Sequence, residues 1–216
     1  MFNMKKLLPT LCVTAALSVL SACSGQTELN RENLQVGMQA YLAQRGDLCL
    51  AKNTWPIDVT QKEIDLGARN ALQMPVLERL GLVKSSVAKV ISSDEDRSAE
   101  MLVHRYELSA RGREFYLSKP MRSMKSDGSS KTANGDLCAA KLTLDRVVDW
   151  QAVSSSGSEK MVVVNYTYRV SAADWVKDAE IQKVFPMLAR VINGAGSMQL
   201  QESFKLTPTA WVAVDL

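Results

Sequence analysis

Two spacings of hydrophobic residues alternate along the chain, and each predicts a different element. Leu34, Met38, Tyr41 and Leu42 recur at the helical interval, which predicts a short amphipathic helix over 34–45, stopped near Gly46. Thr60 and Glu63 have the spacing of a capping box, in which hydroxyl and carboxylate each take a backbone N–H left free at a helix start. The helix that follows is expected to carry Ile64, Ala68, Ala71 and Leu72 on one face. Pro75 lacks a backbone donor, so it should either kink this helix or open a second one ending at Gly81. Strands over 82–91 and 101–108 come next, joined by an acidic turn at 93–98. Farther along, Val162, Val164, Tyr166, Tyr168 and Val170 alternate with mostly polar residues, the clearest strand in the chain. A helix from about Asp174 is expected to use Ile181, Val184, Phe185, Leu188 and Ile192 as its apolar stripe and to end at Gly194 and Gly196. Strands over 198–206 and 211–214 close the pattern. Alternation with one apolar face marks antiparallel sheet covered on one side, so the expected fold class is α+β, an antiparallel sheet packed with helices.

Between the two halves, residues 123–135 are rich in Ser, Lys, Gly and Asn, the composition of a surface linker. The expected organisation is a first lobe over 34–122 and a second over 136–216. Three short patterns recur across that boundary in the same order. Gly46-Asp47-Leu48-Cys49-Leu50-Ala51-Lys52 and Gly135-Asp136-Leu137-Cys138-Ala139-Ala140-Lys141 agree at six of seven positions. Met74-Pro75-Val76-Leu77-Glu78-Arg79-Leu80 is echoed by Phe185-Pro186-Met187-Leu188-Ala189-Arg190-Val191, and Tyr106-Glu107-Leu108-Ser109 by Phe204-Lys205-Leu206-Thr207. Two diverged copies of one helix-plus-strands unit account for this; independent use of common patterns is the alternative.

The amino terminus changes the picture of where such a domain works. Lys5 and Lys6 precede an apolar run of 14 residues, Leu7 to Leu20, followed by Ser21-Ala22-Cys23. A basic start, a short apolar stretch and small residues make a secretory signal over 1–22, and the run falls short of the roughly 20 residues that span a bilayer. Leu20-Ser21-Ala22-Cys23 resembles the lipobox of bacterial lipoproteins, here of Gram-negative type. The resemblance implies cleavage before Cys23, a diacylglycerol thioether on Cys23, and a further acyl chain, such as palmitate, on the new amino group. Ser24 rather than Asp after the cysteine implies sorting to the outer membrane, at its periplasmic face. An ordinary secretory signal with a chance cysteine is the alternative. Residues 23–33 are expected to be the lipidated, flexible polar tether.

Net charge is +3, and +1 once Lys5 and Lys6 leave with the signal, with no basic stripe of the kind nucleic acid requires. Of four cysteines, Cys12 lies in the signal and Cys23 is the lipid site, which leaves Cys49 and Cys138. In an oxidising compartment such a pair is expected to form a disulfide; two separate buried thiols are the alternative.

Chemistry-bearing patterns are sparse. His104, the one histidine, shares a strand face with Leu102, Tyr106 and Leu108 and is expected to be packed and hydrogen-bonded; no partner for acid–base work is evident. One histidine makes a metal site an unpromising expectation, and no nucleotide fingerprint occurs, so no cofactor and no metal are expected. Residues 155–158 are Ser-rich and read as a hairpin loop. Residues 76–116, two strands after a helix and then a Ser109-led segment, resemble the helix-plus-wing part of winged-helix domains, without a basic recognition helix; the resemblance implies a scaffold only. Trp55, Trp150, Trp175 and Trp211 fit either a cleft or a core, with at least two expected in the core. Glu202, on an apolar strand face, is the carboxylate most worth checking for burial. The leading expectation is a non-enzymatic, membrane-anchored binding or interaction module of the envelope, with a protein, peptidoglycan or lipid partner. Alternatives are a carrier of a small apolar ligand or lipid, and an enzyme without a recognisable motif.

Overall fold

The computed structural model describes residues 25–94, 97–119, 121–124, 130–153 and 160–216. Helix α1 (Arg31–Arg45) leads into β1 (Asp47–Cys49), β2 (Ile57–Thr60), α2 (Gln61–Asp65) and α3 (Arg69–Arg79). A long hairpin of β3 (Val83–Asp94) and β4 (Arg97–Leu108) is followed by α4 (Ala110–Glu114) and β5 (Tyr116–Leu117). After β6 (Met121–Met124) and β7 (Ser130–Ala133) come the two longest strands, β8 (Asp136–Val153) and β9 (Met161–Ala172). A 3-10 turn (Asp174–Lys177), α5 (Ala179–Val184), α6 (Pro186–Asn193), β10 (Leu200–Leu206) and β11 (Trp211–Ala213) complete the chain. Every strand pairing among the described residues is antiparallel, and the class is α+β as expected.

The main sheet runs β1-β8-β9-β10-β11, with β5 also on β8; a smaller one runs β2-β4-β3. Two register shifts in β8, between Leu144 and Arg146 and between Val147 and Asp149, bend the main sheet into a half-barrel. Helix α1 fills the curl. Its Leu34, Met38 and Leu42 meet Val164, Tyr168, Phe204 and Trp211 in one hydrophobic core. Gly37 permits that closeness, since a Cβ there would sit 2.6 Å from the Trp211 carbonyl oxygen. The second core gathers Val59, Met74, Leu77, Leu82, Leu137, Trp175, Ile181 and Phe185 where α3 meets α5 and α6. Each core therefore draws on both sides of 123–135, because α1 crosses to β8 and β11 while α5 crosses to α3. Part of the stretch expected to be a linker is itself paired, as β6 on β7.

Several expectations are corrected. The helix expected to carry Ile64, Ala68, Ala71 and Leu72 as one core face is two helices, because Gly67 takes φ +62 and breaks the run between them. Helix α3 then runs through Pro75 and buries Met74 and Leu77, while Ile64 and Leu72 stay exposed. The capping box is present: Glu63 accepts from the Thr60 N–H at 2.8 Å, and the Thr60 hydroxyl accepts from the Glu63 N–H at 3.2 Å. The helix expected from Asp174 is three short pieces, since Asp178 caps α5 and Pro186, without a donor, starts α6 afresh. Residues from Gly25 onward are not a loose tether. The Glu28 N–H donates to the Gly25 carbonyl, Asn33 Nδ2 to the carbonyls of Gly25 and Glu28, and Trp211 Nε1 to the Glu28 carbonyl at 3.2 Å. Cys23, the signal, and the expected hairpin loop at 155–158 lie outside the described residues.

Candidate binding cleft

The two copies of Gly-Asp-Leu-Cys-x-Ala-Lys meet. Asp47, Leu48 and Cys49 of β1 pair with Lys141, Ala140 and Cys138 of β8, and Cys49 and Cys138 form the expected disulfide, 89 residues apart. Around that bond each Asp is met by the other copy's Lys. Lys141 Nζ lies 3.3 Å from Asp47 Oδ1, where Lys119 joins it, and the Lys52 N–H donates to Asp136 Oδ1 at 2.6 Å. The register shift between Leu48 and Cys49 is what sets Asp47, two residues before its cysteine, opposite Lys141, three residues after the other. The other two echoes fall on α3 and α6 and on β4 and β10; β4 lies between β2 and β3, whereas β10 lies between β9 and β11.

The disulfide strand floors a cleft of about 820 Å³ walled by α3 on one side and by α5 and the start of α6 on the other. Its lining is mainly aliphatic: Leu48 and Leu50 at the floor, Leu72 and Val76 on α3, Val184 and Leu188 opposite. At the mouth Leu72 is 55% and Met187 66% exposed. Charge is confined to the rim, in Arg69, Lys183 and Glu180, with Lys183 3.9 Å from Glu180.

Polar groups behind the lining are incompletely paired. Gln73 is buried; its Nε2 donates to the Val184 carbonyl at 2.8 Å, bracing the two walls, while its Oε1 has no partner among the described residues. Lys52 is 3% exposed, its Nζ donating to Asn70 Oδ1 at 2.7 Å and lying 6.0 Å from the centre of the Phe185 ring. Burial, and then the neighbouring Arg69 guanidinium, push its ammonium down to about 8, against the pull of Asp136. Burial likewise pushes the Asp136 carboxyl up, opposed by the backbone N–H groups of Lys52, Leu137 and Ala51.

The remaining candidates are elsewhere. His104 is not packed: it sits exposed on β4, opposite Val87 and Val59. The strand face that is covered at Tyr106 is open at His104. Glu202 is half-buried beside Tyr41 and Tyr166; burial and its charge push the Tyr166 hydroxyl up to about 12. Trp175 and Trp211 are core residues, and Trp55 and Trp150 are half-buried. Leu72, Gln73 and Lys52 were missed by pattern reading. Lys52 was on view as the last residue of the seven-residue repeat. No family model, curated protein or solved structure matches the chain.

Proposed function

We propose that this protein is an acyl-anchored envelope lipoprotein whose folded domain is a binding module without catalytic chemistry, and that the cleft between α3 and α5–α6 is its binding surface. The observation that carries the reading is the cleft itself. A volume of about 820 Å³ falls in the range of roughly 300–1,000 Å³ typical of ligand pockets, and an aliphatic lining takes up apolar groups by removing them from water. The carboxylate of the lining, Glu180, is at the rim and engaged by Lys183, an arrangement suited to recognition at the mouth. The carrier reading gains from the same hollow, and from Gln73 Oε1, which offers a buried acceptor to a ligand donor. Outer-membrane placement at the periplasmic face follows from the lipobox resemblance at Cys23 and Ser24, and an exported address fits the Cys49–Cys138 bridge.

Titration with an environment-sensitive naphthylamine dye tests the cleft. The wild type should show saturable binding, and Leu72→Asp, at an exposed position, should lose most of it while keeping its melting temperature. Equal binding by both would overturn the cleft as the site. Mass spectrometry of the amino-terminal peptide tests the anchor: acyl chains on Cys23 are expected, and an intact unmodified start would contradict it.

A further inference from the structure

The end of the half-barrel beside Gly25 has a feature the cleft does not explain. Leu29, Val153, Met161 and Leu206 surround a second hollow of about 510 Å³, with Lys160 and Glu28 on it. Leu29 is 44% and Val153 43% exposed, so an apolar surface faces outward here. The end of β8, the starts of β9 and β11 and the end of β10 all reach this side, and the turn at Gly25–Leu29 is tied to it by Trp211 Nε1 and Asn33.

We infer that this end of the domain lies flat against the lipid surface that holds Cys23, with Leu29, Val153 and Met161 facing the headgroup boundary. The inference rests on the acylation proposed above. Cys23 stands two residues before Gly25, and two residues of chain reach at most about 7 Å. Since Gly25 is already hydrogen-bonded to the domain, an anchor at Cys23 leaves no length for the domain to stand off from the bilayer. Apolar side chains at the boundary and a lysine near anionic headgroups are the chemistry a lipid surface selects. The cleft lies at the opposite end. Along β9, from Met161 beside the second hollow to Ala172 beside the disulfide floor, there are eleven residue steps (172 − 161), or about 35 Å of strand. The anchored domain therefore holds its cleft out in the aqueous space, where it meets soluble ligands or a partner's segment rather than lipid of its own membrane.

The test uses the full-length acylated protein in phosphatidylethanolamine–phosphatidylglycerol vesicles, carrying a fluorophore at Val153→Cys or, as an independent position at the same end, Thr209→Cys. A third protein is labelled at the cleft mouth through Leu72→Cys. Nitroxide lipids that quench at headgroup depth should remove most of the fluorescence at 153 and 209 and none at 72. Equal quenching at all three positions in vesicle-bound protein overturns the orientation alone. Protein that fails to stay with the vesicles, with an unmodified Cys23, overturns the acylation and the orientation together.

Discussion

Around Phe204 the molecule is closed. Helix α1 lies so near the curled sheet that Gly37 has no room for a Cβ, Tyr168 Oη donates to the Val191 carbonyl at 2.7 Å, and Trp211 Nε1 has its own acceptor. Around Leu77 the same kinds of side chain pack less completely. Gln73 Oε1 and Trp175 Nε1 are buried without partners among the described residues, Lys52 is a buried cation, and a cleft opens between the helices. An unpaired buried polar atom costs about 1–3 kcal/mol, so the second region gives up stability that the first retains. The difference teaches a division of labour: one core holds the fold, the other keeps room for something to enter, with the disulfide stapling its floor.

Substitutions that separate the two regions should fall in a definite order. Phe204→Ala in the closed core should cost about 4 kcal/mol in urea unfolding, while Leu72→Ala at the cleft mouth should cost less than about 1; similar losses would remove the distinction. Replacing Cys49 and Cys138 by Ala should cost about 3 kcal/mol, since the bridge closes a long loop. Proteolysis should then cut first near α3 and α5–α6 and spare α1.

Lys52 gives a pH test of the open region. Its ammonium is depressed to about 8 from an ordinary 10.5, so below pH 8 both folded and unfolded chains hold the proton and the burial cost is carried in full. Between pH 8 and 10 the unfolded chain binds more protons, and stability should rise by on the order of 2 kcal/mol. Above pH 10 the tyrosines act with the opposite sign: Tyr166, raised to about 12, keeps its proton when folded, and stability falls. Lys52→Met should abolish the rise and leave the fall, measured as melting temperature against pH. The smallest effect compares two tryptophans. Trp211→Phe loses a hydrogen bond and Trp175→Phe loses none, so the first should be the more destabilising by about 1 kcal/mol.

How much of this was legible depended on the range of the cause. The strand at 161–172 and the capping box at Thr60 and Glu63 are set by neighbours a few residues away, and both were readable. The pairing of Cys49 with Cys138 was readable because they are the two cysteines left after Cys12 and Cys23, each in a segment that matches the other at six of seven positions. The helix expected to carry Ile64 to Leu72 on one face was misjudged because Gly67 at φ +62 ends the first helix, and the second buries Met74 and Leu77 while Leu72 stays exposed. The cleft was hidden for a different reason. Its walls meet only when α5 and α6, over a hundred residues later, fold back onto α3, and apolar residues facing a void have the same spacing as those facing a core.

Amide hydrogen exchange with and without a saturating apolar ligand reads the central claim most directly. Slowed exchange confined to α3, α5, α6 and β1 is the expected result. Protection spread over α1, β10 and β11, or none anywhere, would contradict the assignment of the cleft as the place where this protein binds.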